Sequence, residues 1–286
     1  MGPVETAVPV DIEHARKVAV AAVEAAGALL HEHTTTDLAT RAKGSNGDVV
    51  TDLDLAAERL IVQRIRDAFP GHRIIAEESG LLDADDDSWT WLVDPLDGTN
   101  NVVIGLNAYV VGIALCQDKV PMLGVVHDPV AGQTWSAVRG RGVHGPAGML
   151  MRPPRRSAIG GPVLAWTQGH SVDRANGTAR ALRAALELGV KRVLQLWAPL
   201  LSWVMLARGD IDGFVGYRPE AIDLPAGSLI AQEAGITMCA LDGSPFDEHV
   251  DIPEEDRSFV AGRPEAIPDL LALVRNAVSQ PHQITP

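Results

Sequence analysis

Positive charge is what this sequence has least of. Its 24 Lys and Arg face 37 Asp and Glu, a formal net charge of −13. That deficit argues against nucleic acid as a partner, because recognition of a phosphate backbone needs clustered cations. Small anionic molecules stay open, since bound metal ions reverse the local sign. Cysteine is nearly absent. Cys116 and Cys239 stand far apart in apolar surroundings, too few for a disulfide framework, so buried thiols in a reducing, cytoplasmic setting are expected. Aromatic residues make up only 4% of the chain, which leaves the core to Ala, Val and Leu. No apolar run reaches the about 18 residues that cross a bilayer, and no basic-then-apolar leader opens the sequence, so no membrane partner is expected. "MGPVET" meets a myristoylation pattern only literally, with a proline after the glycine.

What is present suffices for one large domain or two closely packed ones: 286 residues, 46% of them hydrophobic. Residues 11–33 repeat apolar side chains at helical spacing. "TDLDLAAERLIVQRIRDAFP" does the same, with Leu53, Ala57, Leu60, Ile61, Ile65 and Ala68 in one stripe and Pro70 as the stop. Between them "RAKGSNGD" reads as a glycine-rich loop. After residue 70 come short β-branched runs, "HRIIAEES", "TWLVDP", "AYVVGIALCQ", "PMLGVVHD" and "QTWSAVR", which predict a largely antiparallel sheet. From "PVLAWTQ" onward helices and strands alternate, ending in a helix from about Ile267 to Val278. The stretch "GPAGMLMRPPRRSAIGGP" is the expected seam between an N-terminal α+β half, residues 1–150, and a C-terminal α/β half, residues 151–286.

Three patterns mislead. "GRGVHG" matches a dinucleotide fingerprint, but prolines rather than a helix follow it, so a tight turn is expected. "DADDDS" opens like a calcium loop, yet Ser88 stands where glycine is needed, so a solvated acidic loop is expected. The histidines of "HEH" at 31–33 point to different sides of a helix and read as surface residues.

"WLVDPLDGTNN", residues 91–101, carries the chemistry. A buried strand ends in Asp94 and Asp97, whose charges repel and are costly to desolvate. A hard divalent cation would relieve both and could also take the Leu96 carbonyl. A plain turn in which Asp97 caps the next segment explains the stretch equally well. Locally, Glu77 and Glu78 read as a charged strand end. Thr51 and Asp54 of "DVVTDLD" read as a capping box, and Asp223 of "AIDLPAGSLIAQEAG" as a helix N-cap.

Taken in order, "DVVTDLD", "AEES", "WLVDPLDGTNN" and "IDLPAGSLIAQEAG" resemble the inositol monophosphatase family of metal-dependent, lithium-sensitive phosphatases. Its wider superfamily includes bisphosphate nucleotidases and fructose bisphosphatases. The resemblance implies a layered αβαβα sandwich, a homodimer, a small phosphorylated substrate and two to three Mg²⁺ per site. It implies Glu77, Asp94, Leu96 (by its carbonyl), Asp97 and Asp223 as metal ligands. Asp54 and Thr99, together with Glu77, would form the catalytic set that orients or deprotonates the attacking water. Lys43, Gly98, Thr99, Asn101 and Glu220 would contact phosphate or substrate.

The sequence departs from the family where the substrate's alcohol would sit. Ile222 replaces a common tryptophan, Gly216 stands where inositol-specific members carry glutamate, and Trp197–Ala198 replace a Gly-Ser step. Val102 follows the motif in place of an aromatic residue. Trp197 and Trp203 are read as core, with an aromatic substrate wall as the alternative. A nucleotide 3′-phosphatase, a histidinol phosphatase, a sugar bisphosphatase and a non-catalytic regulatory protein therefore remain as other readings.

Overall fold

The structure, a computed structural model, describes residues 10–33, 40–43, 48–82, 84, 86–149 and 161–279. Helix α1 (Ile12–His33) turns Ala15, Ala19, Ala22, Val23, Ala26 and Leu30 inward. The chain then forms an antiparallel hairpin of β1 (Thr40–Lys43) and β2 (Asp48–Thr51). Arg41–Lys43 were expected in a loop; they are strand because the β-branched Val49 and Val50 pair across from Ala42 and Arg41. Helix α2 (Asp52–Ala68) starts at a capping box formed by Thr51 and Asp54.

Eight strands build the first sheet: β3 (His72–Ala76), β4 (Gly80–Leu82), β5 (Asp86–Asp97), β6 (Val110–Gln117), β7 (Val120–Asp128), β8 (Gln133–Val138), β9 (Val143–Gly145) and β10 (Gly148–Met149). Their order is β10-β9-β8-β7-β6-β5-β3-β4, antiparallel throughout except where β3 lies parallel to β5. A short helix, α3 (Thr99–Val103), leaves the end of β5. The acidic "DADDDS" is not all loop, since β5 already begins at Asp86, paired with His72; residues 83 and 85 lie outside the described ones. "GRGVHG" is a turn only over residues 140–142, since β9 begins at Val143; the Gly140 and Gly142 N–H groups each donate to Glu233 at 2.7 Å.

The second sheet holds β11 (Val163–Gln168), β12 (Arg192–Leu194), β13 (Gly213–Tyr217), β14 (Thr237–Ala240) and β15 (Phe259–Gly262) in the order β12-β11-β13-β15-β14. Four helices accompany it: α4 (Gly177–Gly189), α5 (Pro199–Arg208), α6 (Pro225–Glu233) and α7 (Ile267–Ser279). Most of the expected seam, residues 150–160, lies outside the described residues.

Packing sorts these elements into five layers. Helices α1 and α2 cover one face of the large sheet around Ile61, Ile74, Trp91 and Ile113. Helices α5 and α6 lie between the sheets around Leu200, Trp203, Phe214 and Leu229. Helices α4 and α7 close the outer face of the small sheet around Trp166, Leu182 and Val274. This is the αβαβα sandwich. Among the described residues no helix is long and apolar enough to cross a membrane. Both cysteines are buried free thiols, and burial pushes Cys116 up to about 12.

Candidate active site

The site begins with a fault in strand pairing. Residues three apart on a regular strand point to opposite faces. Here Asp94 faces Gly112 and Asp97 faces Val110, so Pro95 and Leu96 together oppose Val111. This bulge, tolerant of a proline that cannot donate, turns both carboxylates the same way. Asp94 Oδ1 accepts the Leu96 N–H at 3.1 Å, which fixes the kink. Asp97 Oδ2 accepts from Leu200 N at 2.8 Å and Leu201 N at 3.3 Å. It therefore caps α5, a helix more than a hundred residues away, and not the segment that follows it.

Asp223 arrives from the other half of the chain. It ends a 3-10 turn, Ala221–Asp223, before α6, whose N-cap position is Leu224 and has no side-chain cap. The expected N-cap role is thus corrected: the Asp223 side chain faces Asp94 and Asp97, and ligand atoms of the three lie within 4.8 Å of one another. Burial lifts all three carboxyl groups well above the usual aspartate range. Glu77, Asp97 and Asp223 add repulsion at Asp94, whereas the Leu201 and Leu200 N–H groups partly offset the rise at Asp97. Three crowded carboxylates form a hard oxygen donor set, suited to Mg²⁺ and not to softer metals.

Glu77 joins from the end of β3, where its N–H donates to Val93 O at 3.0 Å and parallel pairing sets it beside Asp94. The two carboxyl groups interact directly, each shifting the other's titration. Lys43 holds Glu77 at 2.7 Å and Glu78 at 2.9 Å. Burial works against the Lys43 charge, but the two glutamates outweigh it and raise its pKa. Behind this turn sits Glu58 of α2, 2% exposed, which accepts from Glu78 N at 2.7 Å and from the Ser79 hydroxyl.

Asp54 does two jobs. Its Oδ2 takes the Thr51 N–H and hydroxyl of the capping box, and its Oδ1 accepts from Thr99 Oγ1 at 2.7 Å. Burial raises its pKa. Gly98, at φ +107, begins α3, and a Cβ there would stand 2.8 Å from Ala108 O.

These groups meet at a cavity of about 620 Å³ lined by Glu77, Asp94, Leu96, Asp97, Gly98, Thr99 and Asp223. Asp54 lies behind Thr99 and does not line it. Lys43 and Glu220 line an adjoining recess that shares Glu77 and Asp223. Glu220 also accepts the His170 N–H at 3.1 Å. Asn101 is placed elsewhere. It is fully buried and ties Ala108 O to Leu196 O, so it holds a loop rather than facing the cavity. Gly216 cannot be replaced by a sugar-facing side chain, because a Cβ there would meet the Phe259 ring at 2.2 Å.

The opposite wall was largely missed by sequence reasoning: Trp166, Thr167, Gln168, His170 and Gln195. The two tryptophans read together as core separate here. Trp203 is 1% exposed and stacks on Phe259 at 4.7 Å, whereas Trp197 is 55% exposed, has φ +51 and lines the cavity.

The model of the inositol monophosphatase family matches residues 11–279. The chain is 32% identical to a Nus factor SuhB from Escherichia coli (strain K12), over 92% of this chain and 96% of that relative. It is 35% identical to an inositol-1-monophosphatase from Mycobacterium leprae, over 69% of this chain and 70% of that one. The crystal structure of the extragenic suppressor protein SuhB from Bartonella henselae superposes with a TM-score of 0.82 at 26% identity, over 92% of this chain and 98% of that one.

Proposed function

The chain belongs to the inositol monophosphatase family, and from that premise we propose that it is a magnesium-dependent phosphatase acting on a small phosphate monoester of an inositol, sugar or polyol. The observation that carries this reading is the convergence of Asp94, Asp97 and Asp223 from distant parts of the chain. Glu77 and the Leu96 carbonyl would complete a donor set for two to three Mg²⁺. Bound there, the ions would neutralise a phosphate dianion, acidify a water and hold attacking and leaving oxygens in line.

The chain's own groups do the rest. Thr99 lines the cavity and donates its proton to Asp54, which leaves its oxygen lone pairs to receive a hydrogen bond from the attacking water. Asp54 acts through Thr99 and is a positioning residue. The Gly98 and Thr99 N–H groups would hold phosphate oxygens. Lys43 balances the charge of Glu77, and Glu58 keeps the Glu77–Ser79 turn in place. Dimerisation and lithium inhibition are further expectations of this reading.

Phosphate release from inositol 1-phosphate or p-nitrophenyl phosphate should require Mg²⁺ and stop with EDTA. Asp94→Asn, Asp97→Asn and Asp223→Asn should each lower turnover on the order of 100-fold or more. Turnover equal to wild type in these variants would overturn the ligand assignment. Mg²⁺ uptake without release from any phosphate monoester would instead favour a non-catalytic role, the reading to which the name of the Escherichia coli relative points.

A further inference from the structure

Asn101 stands apart from the acids of "WLVDPLDGTNN": it is fully buried and does not line the cavity. Its amide nitrogen donates to Ala108 O at 2.6 Å and to Leu196 O. Its Oδ1 is buried and accepts from nothing among the described residues. An orphan acceptor of this kind is costly to bury, so the two donated bonds have to matter.

The bond to Leu196 closes a clamp. Asp97 accepts from Leu200 N at 2.8 Å; four residues after Asp97, Asn101 donates to Leu196 O, four residues before Leu200. Residues 97–101 and 196–200 thus run past each other in opposite senses, bonded at both ends. Between the two bonds lie Trp197, at φ +51, and Ala198, which caps α5 without any side-chain bond. Tryptophan takes that backbone conformation only where its surroundings impose it. Pro199 has no N–H to add. Among the described residues, Asn101 is the only group hydrogen-bonded to Leu196 or Trp197. The entry to α5 is therefore fixed by Asn101 on one side and Asp97 on the other.

We infer that Asn101 is a positioning residue for the metal centre. By holding Leu196 it sets the start of α5, and with it the Leu200 and Leu201 N–H groups that orient the Asp97 carboxylate. This rests on the reading of Asp97 as a metal ligand and adds to it. With Oδ2 held by two N–H groups, Oδ1 stays available to a cation. Were α5 free to drift, that direction would be lost, and Mg²⁺ tolerates poor ligand geometry badly. The bond also crosses between the halves of the chain, so a ligand from the first half is aimed by a helix of the second.

Calorimetric titration with Mg²⁺ tests the assignment. Asn101→Ala should weaken Mg²⁺ binding roughly tenfold or more, and should raise the Mg²⁺ concentration for half-maximal phosphate release by a like factor. Asn101→Asp, which keeps the shape but cannot donate, should do the same. Val274→Ala, in the outer core under α7, should lower the melting temperature and leave Mg²⁺ binding unchanged. In an Asp97→Asn background, Asn101→Ala should weaken Mg²⁺ binding no further, although it still lowers the melting temperature. An Asn101→Ala protein that melts lower but binds Mg²⁺ like wild type would overturn the assignment, as would additive losses in the Asp97→Asn background. Should the Asn101 variants not fold, deuterium exchange on wild type decides: Mg²⁺ should slow exchange through residues 195–201, and no slowing there would end the proposal. Absence of Mg²⁺ uptake by wild type would fail the ligand reading and this role with it. Uptake that the Asn101 variants leave intact would fail this role alone.

Discussion

Asp94 is held by groups that want its charge and groups that oppose it. The Leu96 N–H favours the carboxylate; burial and the neighbouring Glu77, Asp97 and Asp223 disfavour it. Its folded pKa is therefore raised above the ordinary value of 3.8. A group raised in the folded state stabilises below its unfolded pKa and loses that contribution as pH climbs through the folded pKa. Metal-free protein should thus weaken as pH rises above about 4 through this cluster's titration. Asn keeps an acceptor for Leu96 and brings an N–H for Glu77, without the charge. In EDTA at pH 8, Asp94→Asn should melt above wild type by roughly 3 °C or more, since one pKa unit is about 1.4 kcal/mol. The gap should close toward pH 4, and saturating Mg²⁺ should reverse the order; thermal melts across pH decide it, and a variant less stable than wild type at pH 8 in EDTA would contradict the account. Such carboxylates were legible in sequence because two acids flanking a proline at the end of an apolar strand conflict with burial. Glu58 left a fainter trace. It lies one turn after Asp54 on the buried face of α2, where an unexplained acid signals a partner. Gln168 at the end of β11, His170 and Gln195 left none, because only the small sheet's packing brings them to the cavity.

At the scale of elements, the N-terminus of α5 is what places Asp97. Pro199 lacks an N–H, so the first donors the helix offers are Leu200 and Leu201, and Asp97 takes both. That approach needs Gly112 on β6, opposite Asp94: a Cβ there would stand 2.2 Å from Leu200 Cδ1, in a side chain that is fully buried. Gly112→Ala should cost about 1–3 kcal/mol by overpacking and should lower kcat as the cap on Asp97 loosens. Adding Leu200→Ala should recover part of both losses, a non-additivity that a double-mutant cycle measures. Additive losses, or none, would remove Gly112 from the support of the site. Helical spacing made α1, α2 and α7 readable, and alternation with β-branched runs did the same for β5 to β8. The short strands β12 and β15 were not foreseen. Four fully buried residues, "FVAG", carry no period from which to infer a strand. Nor was the bulge, which depends on the pairing partner across the sheet.

At the scale of the whole molecule, the carboxylate cluster is also a bond between layers. Asp94 and Asp97 end a strand of the large sheet, and Asp223 leads into α6, which packs on that sheet's inner face beside α5. The central helices already share a core with both sheets, through Leu92, Trp203 and Phe259. Unfolding one sheet alone would strip α5 and α6 of half their cover, so the layers should melt together. Mg²⁺, binding only where both parts of the chain are in place, should raise that single transition. At about 100 times its dissociation constant the gain is about 2.7 kcal/mol, or roughly 5–10 °C. Asp223→Asn should lose most of this gain although Asp94 and Asp97 are untouched. Far-UV circular dichroism and tryptophan fluorescence, with Trp91 in the large sheet, Trp203 in the central layer and Trp166 in the small sheet, should report one coincident midpoint. Two separated transitions, with Mg²⁺ moving only one of them, would mean that the ion binds within one part and that the five layers are two independent bodies.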